Sequence, residues 1–206
     1  MAVSFSASAH AAEEPPLITD RPDQTESAYT VPAGLFQIEG GWGYGRSREP
    51  DSEVIFQGFP QALLRIGLSP VFELRLQLPG IDIEKTDTRT GETSESGLVD
   101  AALGFKVVIA EEKGARPQTA FLGTLAVPTG DEEFTSDRVD PAFRFVFSNT
   151  LSDKLSLGYN LGMAWLTDAD EEGVLDTASF FDWTVALGIG FTAKTGPSSK
   201  PLDSYL

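Results

Sequence analysis

The sequence predicts an all-β protein, namely an up-and-down antiparallel transmembrane β-barrel of about eight strands that follows a short N-terminal periplasmic segment. Three observations predict this fold. Apolar and polar residues alternate with a period of two, prolines fall between the alternating segments, and the connections are alternately short and long. The period of two is typical of β-strands, because successive side chains point to opposite faces of a sheet.

The clearest alternation lies in residues 177–192. One face carries only large apolar side chains, with aromatic rings at both ends, and the other carries small or polar side chains. The large face is Phe181, Trp183, Val185, Leu187, Ile189 and Phe191, and the small face is Asp182, Thr184, Ala186, Gly188 and Gly190. A strand in a lipid bilayer turns the first face to the acyl chains and the second to the barrel interior.

Seven further segments keep the same alternation, and most have the ~9–11 residues that a tilted strand needs to cross a bilayer. In chain order the predicted strands are residues 35–45, 60–69, 71–79, 98–110, 117–127, 141–150, 154–166 and 177–192. The fifth segment is weaker, because Leu122 lies on the face opposite Phe121 and Leu125. Proline cannot donate a hydrogen bond to a sheet, and six prolines mark the proposed boundaries. They are Pro60, Pro70, Pro79, Pro117, Pro128 and Pro141.

The connections between these segments alternate in length. Residues 69–70, 111–116 and 151–153 form short connections, whereas residues 46–59, 80–97, 128–140 and 167–176 form longer polar loops. Outer-membrane barrels show this pattern, with short periplasmic turns and long external loops. A soluble sandwich has no reason to alternate its loops in this way.

Charged residues of both signs lie opposite the apolar faces, and they are the candidate lumen-lining residues. They are Glu39, Arg65, Glu73, Arg75, Asp100, Lys106, Arg144 and Asp182. Two interpretations stay open, since the set forms either an ion-pair network that fills a narrow barrel or a charged lining that selects solutes. A soluble barrel of the lipocalin kind fits the alternation if the faces are exchanged. Its interior would then have to hold too many large side chains.

Composition and the chain termini narrow the function. The chain has 206 residues, a net charge of −16, no cysteine and one histidine, His10. The charge argues against a nucleic-acid partner. Residues 1–11 resemble the remnant of a signal peptide with an A-x-A cleavage site, which predicts export. We therefore divide the chain into residues 1–11 (signal-peptide remnant), 12–34 (periplasmic segment), 35–192 (outer-membrane barrel) and 193–206 (polar tail).

No pattern in the sequence predicts catalysis, a metal site or a cofactor. Serine–histidine chemistry needs a histidine, and cleavage after residue 11 would remove His10. Two loops are strongly acidic, residues 131–137 and 168–176. No ligand spacing in them resembles an EF-hand, so we expect solvated external loops near lipopolysaccharide, bridged loosely by divalent ions.

The N-terminal residues resemble those of a known family. Residues 19–27 read T-D-R-P-D-Q-T-E-S, and residues 31–39 read V-P-A-G-L-F-Q-I-E. This opening resembles the outer-membrane "MetA-pathway of phenol degradation" family. The motif residues are Asp20, Arg21, Pro22, Asp23, Thr25, Glu26 and Ser27. The resemblance implies an outer-membrane transporter for small organic, including aromatic, solutes.

The C-terminus departs from this resemblance. Such proteins continue with further strands and close with an aromatic strand, whereas residues 193–206 are polar and end in Leu206. Two expectations remain open: the chain is a piece of a larger barrel, or it closes with about eight strands.

Residues 20–27 precede the first strand and carry charges of both signs. They form either a solvated linker or a segment tucked into the periplasmic mouth and hydrogen-bonded to arginines of the interior. The function has two leading interpretations, a channel for small solutes and a non-conducting structural or adhesin-type barrel that acts through its external loops. The expected partners are outer-membrane lipid, lipopolysaccharide and a small-molecule solute, and the oligomeric state stays open.

Overall fold

The computed structural model describes residues 18–20, 25–169 and 174–190. Within them the chain forms twelve β-strands, one 3₁₀ turn at Glu132–Phe134 and no α-helix, which confirms the all-β prediction. The strands are β1 (Phe36–Glu39), β2 (Gly43–Arg48), β3 (Ser52–Phe59), β4 (Leu63–Ser69), β5 (Phe72–Gln77), β6 (Ile81–Thr88), β7 (Gly91–Leu98), β8 (Ala101–Ala110), β9 (Gln118–Val127), β10 (Asp140–Ser152), β11 (Leu155–Ala169) and β12 (Leu175–Ile189). No helix in these ranges is long and apolar enough to cross a membrane.

Parts of the prediction fall outside the described residues. These are the signal-peptide remnant at 1–11, the polar tail at 193–206, the motif residues Arg21, Pro22 and Asp23, and the acidic residues 170–172. Nothing in the structure bears on them.

The strands form two antiparallel sheets in chain order. The larger sheet has eight strands in the order β1-β4-β5-β8-β9-β10-β11-β12, and the smaller has four in the order β2-β3-β6-β7. The eight predicted segments correspond to the eight strands of the larger sheet. β1 and β12 are its two edges, and no pairing joins them within the described residues.

The smaller sheet continues the first four strands of the larger one. β1 leads into β2, β3 into β4, β5 into β6 and β7 into β8, each across a break of two or three residues. Pro60 and Pro79 lie in two of these breaks, where a missing N–H costs no ladder hydrogen bond. The prediction that residues 46–59 and 80–97 are loops is therefore wrong.

The missed hairpin β6–β7 lacks an apolar face. β7 reads GETSESGL and is exposed over most of its length, so its sequence carries no period-two contrast. Its backbone nevertheless pairs with β6 along the whole hairpin. The first pair is Ile81 with Leu98, and the last is Thr88 with Gly91. Cross-strand hydrogen bonds therefore define these strands in place of burial.

Burial across the larger sheet is inverted relative to a soluble protein. Large apolar side chains lie on the outer face, where Phe36 is 71% and Trp183 66% exposed. Charged side chains lie on the opposite face, which we call the polar face, where Arg65 is 1% and Lys106 0% exposed. Soluble proteins rarely bury such charges unless they are paired.

Aromatic rings form a row on the outer face across five neighbouring strands. Phe72, Phe105, Phe121, Phe143 and Trp165 follow one another with centroids 5.9–6.1 Å apart. This spacing is typical of attractive ring pairs. Apolar burial on the other side is small. Ala28, Ala120, Leu122 and Val146 form one buried cluster, and Val31, Leu63 and Ala102 are buried outside it.

Candidate functional site

The two ends of the larger sheet differ. The turns β4–β5, β8–β9 and β10–β11 lie at one end, which we call the short-turn end. The connection β9–β10 and the smaller sheet lie at the other, which we call the long-loop end. The candidate site extends along the polar face between them.

The N-terminal segment, of which the structure describes residues 18–20 and 25–34, crosses the polar face near the short-turn end. The Gly34 N–H donates to the Gly67 carbonyl at 2.8 Å, and the Thr30 hydroxyl donates to the Pro70 carbonyl at 3.1 Å. A side chain on Gly67 would lie 2.2 Å from the Val31 carbonyl oxygen. Glycine is required at this position because the two backbones approach so closely.

Seven charged residues meet where this segment crosses the sheet, and we call them the buried charge cluster. Five come from strands and two from the N-terminal segment: Glu39, Arg65, Glu73, Arg75, Lys106, Asp20 and Glu26. Alternation places the five strand residues on one face. β5 pairs Glu73 with Lys106 and Arg75 with Arg65 in register, which brings their side chains side by side.

Asp20 lies at the centre of the buried charge cluster. Its carboxylate accepts hydrogen bonds from Arg75 Nη1 at 2.5 Å and from Lys106 Nζ at 2.7 Å, and it lies 3.2 Å from Arg65 Nη1. Burial raises the pKa of Asp20, but the positive charges of Lys106, Arg75 and Arg65 outweigh it and hold the pKa well below the usual 3.8. Asp20 is therefore ionised at neutral pH.

Arg65 ties the segment to three strands. Its guanidinium donates to both Glu73 oxygens at 2.8 and 2.9 Å and to Glu39 Oε1 at 2.9 Å. It also donates to the carbonyls of Ile18 and Tyr29, at 2.9 and 3.1 Å. Planar guanidinium groups suit such forked pairing, and here the contacts with the two glutamates are buried.

Glu26 forms the boundary of the cluster on the long-loop side. It accepts a hydrogen bond from Arg75 Nη2 at 2.7 Å. The buried Asn160 amide holds the same residue when it is oriented to satisfy its neighbours: its oxygen then accepts from the Glu26 backbone nitrogen at 2.7 Å, and its nitrogen donates to the Glu26 carbonyl at 3.1 Å. Burial, followed by the negative charge of Asp20, raises the pKa of the Glu26 carboxyl above its usual 4.5.

The strands alone do not balance the charges of the cluster. They contribute three cations, Arg65, Arg75 and Lys106, against the two acids Glu39 and Glu73. Asp20 and Glu26 bring two further acids from the N-terminal segment. The segment is therefore a counter-ion for a sheet that carries surplus positive charge.

The remaining predicted lumen residues lie elsewhere. Arg144 pairs with Asp182 at 2.7 Å across Gly162, where a Cβ atom would meet both side chains at 2.6 Å. Asp100 lies at the long-loop end and has no cation partner within the described residues. Instead it accepts hydrogen bonds from the N–H groups of Thr129, Gly130 and Ser136. Of the motif residues, Thr25 and Ser27 are buried beside the cluster.

Two cavities lie along the polar face on the long-loop side of the cluster. The smaller, of about 210 Å³, is bounded by Glu26, Arg75 and Arg144. The larger, of about 840 Å³, opens at the long-loop end. Gln77 lines both, so they adjoin.

Sequence reasoning did not single out several residues of the larger cavity. Phe180 is on the polar face of β12, and Phe134 reaches it from the 3₁₀ turn. Asp82 and Asp140 also line it. The one signal in the sequence was that Phe180 is two residues from Asp182, which puts both side chains on the same face of the strand. No group of three or more His, Cys, Asp or Glu residues in the described ranges is arranged to hold a metal ion.

Comparison with known families agrees with the N-terminal motif. The family model described as "Putative MetA-pathway of phenol degradation" matches residues 19–198. Among curated proteins, none matches the chain. The matched region contains every described strand and both motif segments. The chain therefore belongs to the MetA-pathway of phenol degradation family.

Proposed function

We propose that this protein is an outer-membrane β-barrel that admits small organic solutes, including aromatic ones, to a polar interior. The inverted burial of the larger sheet is the observation that carries this proposal. Contiguous apolar surface on this scale marks contact with a partner or a membrane. The outer face, on which Phe36, Trp183 and Ile189 are all more than half exposed, has the apolar character of a lipid-facing surface.

The membrane setting makes demands on the sheet. Lipid offers no hydrogen bonds to exposed backbone, so the edges β1 and β12 must be covered for the sheet to span it. The proposal therefore includes closure of the barrel, export through the periplasm of a Gram-negative cell, and contact with lipid and lipopolysaccharide. It includes neither catalysis nor a cofactor.

The adjoining cavities support a path for solutes. They extend from the long-loop end to the Glu26–Arg75 pair, and the N-terminal segment lies beyond that pair. Passage to the short-turn end therefore requires the segment to leave its site. In this view the docked segment closes the path.

The test is single-channel recording of the refolded chain in a planar bilayer, compared with a variant that lacks residues 12–27. We expect small or rare current steps from the full chain and larger, frequent steps from the deletion variant. Both must first show the β-sheet circular dichroism spectrum of a folded protein. Identical conductance of two folded proteins would contradict closure by the segment.

One observation favours a second candidate, the structural or adhesin-type barrel. The buried charge cluster and the N-terminal segment fill the short-turn half of the polar face, and small barrels are often filled by side chains. Absence of current from both folded proteins would favour this candidate over the channel.

A further inference from the structure

We propose that the larger cavity, of about 840 Å³, binds amphipathic organic cations, such as arylalkyl amines and aryl quaternary ammonium ions. The inference rests on the proposed function, because it names the class of solute that the same interior selects. The volume suits a ligand of this size, since sites for small molecules usually enclose about 300–1,000 Å³.

The walls of the cavity carry charge of one sign. Four aspartates line it, and no lysine or arginine does so among the described residues. Three of these carboxylates already accept hydrogen bonds: Asp100 from three backbone N–H groups, Asp140 from Thr167, and Asp176 from the Thr177 N–H. Asp82 is half-buried and has no hydrogen bond or ion pair with any described residue. Its charge is therefore available to a ligand.

Two aromatic rings stand in the same walls. Phe180 projects from the polar face of β12, and Phe134 lies on the 3₁₀ turn against Gly97. A phenyl face attracts a cation within about 6 Å, by ~0.5–1 kcal/mol at exposed sites. Carboxylate and rings together favour a ligand that has both positive charge and apolar surface.

Acidic residues next to the cavity-lining Phe134 in the chain add a longer-range attraction. Asp131, Glu132 and Glu133 lie on and before the 3₁₀ turn that carries Phe134. The whole chain has a net charge of −16. Like charges around a cleft raise the local concentration of counter-ions, so cations are enriched at this end and anions are depleted.

Isothermal titration calorimetry of the full refolded chain in a non-ionic detergent tests the proposal. Three probes share one ring and differ in charge: benzyltrimethylammonium, benzyl alcohol and benzoate. We expect the cation to bind, the alcohol to bind more weakly and benzoate not to bind, after subtraction of titrations into empty micelles. Equal or tighter binding of benzoate, or no binding of the cation, would overturn the proposal.

Matched variants locate the site. Asp82→Asn keeps the shape and removes the charge, and it should weaken binding of the cation roughly threefold to tenfold. Phe180→Leu should weaken it about twofold to fivefold by removing the ring. Asp87→Asn is the control, because Asp87 is on the same strand, is exposed and does not line the cavity. An equal loss in the control would assign the binding to general surface charge and refute the site.

This experiment separates the inference from the proposed function. Binding is measured in micelles and needs no current, so cation binding by a protein that does not conduct would support the inference and reject the channel. A conducting protein that binds none of the three probes would support the channel and reject the inference.

Discussion

At Gly67, the carbonyl oxygens of Val31 and Pro32 occupy the place where a side chain would begin. Gly67→Ala would put a methyl group 2.2 Å from the first of them, and backbone atoms cannot rotate away. We expect this substitution to lower the free energy of unfolding by about 2 kcal/mol, the usual cost of overpacking. Urea titration of the refolded protein in micelles measures it.

Gly45→Ala is the matched control for this substitution. Gly45 also lies in a sheet, on β2, but a Cβ atom there would meet Phe56 at an ordinary 3.8 Å. Its free energy of unfolding should change by less than about 0.5 kcal/mol. Equal effects at the two glycines would show that the N-terminal segment does not approach β4 as closely as described.

The carboxyl groups of Asp20 and Glu26 should make the binding of the N-terminal segment to the polar face strongest at one pH. The lowered pKa of Asp20 contributes stability that is present above the usual 3.8 and is lost as the pH falls below it. The raised pKa of Glu26 acts oppositely, since its contribution is present below the usual 4.5 and is lost as the pH rises. Docking should therefore tighten slightly from neutral pH towards about 4.5 and weaken sharply below 3.8.

A single introduced thiol measures this pH dependence, because the chain has no cysteine. Ser27→Cys suits the purpose, since the Ser27 hydroxyl is buried without a hydrogen-bond partner among the described groups. Its reaction with dithiodipyridine, relative to a thiol at the exposed turn position Asp153→Cys, reports undocking. A ratio that rises steadily from neutral pH to pH 4.5 would contradict the expected order.

At the residue scale, the sequence indicates which face of a strand a side chain occupies. The alternation along β4 and β5 (their parity) puts Arg65, Glu73 and Arg75 on one face, and Arg144 pairs with Asp182, a contact that belongs to the ion-pair interpretation, one of the two that the sequence leaves open. Parity cannot show how a segment outside the sheet docks. Asp20 is 86 residues from Lys106, and no local spacing predicts a contact of that separation.

Among the elements, the connection between β9 and β10 is anchored at three backbone groups by the Asp100 carboxylate. Asp100 Oδ1 accepts the N–H groups of Thr129 and Gly130, and Oδ2 accepts that of Ser136 at 3.1 Å. Asp100→Asn would replace one acceptor oxygen by a donor, which leaves at least one N–H unpaired. We expect amide hydrogen exchange in this connection to become about tenfold faster.

Asp137→Asn is the control for the connection. Asp137 is exposed and has a φ of 57°, a conformation that asparagine also tolerates. Its exchange rates should stay unchanged. If both variants leave exchange unaltered, Asp100 does not anchor the connection, and its role as a charge of the cavity wall gains weight.

Element-scale prediction depended on contrast between faces. The strands of the larger sheet were found because one face is apolar, as in β12, where Trp183 and Asp182 point to opposite sides. β3, β6 and β7 continue the same strands, but polar residues occupy both of their faces, so the pattern resembles that of a loop. Backbone hydrogen bonds between neighbouring strands form these hairpins. Such bonds produce no periodic pattern of apolar and polar residues in the sequence.

At the scale of the whole molecule, the outer face makes lipid contact measurable. Trp42 and Trp183 are 61% and 66% exposed on it, and the chain has three tryptophans in all. Reconstitution into vesicles with brominated acyl chains should quench at least half of the tryptophan fluorescence. Dissolved iodide should quench little of it, since the rings would lie in hydrocarbon.

The reverse pattern of quenching would contradict placement in a membrane. A sample refolded in detergent and diluted without lipid is the control, because iodide should then reach the rings more readily. Trp183→Phe should reduce the signal quenched by bromine and leave the fold intact, since the aromatic side chain is retained.

The docked N-terminal segment also has a consequence for the order in which the molecule assembles. Its site is built from β1, β4, β5 and β8, so Lys106 must be in place before Asp20 has its full set of partners. Contacts of such long separation form late, because each requires closure of a long loop. The segment that precedes the strands in the chain therefore docks after them, and a chain that ended before β8 would leave Asp20 without its Lys106 partner.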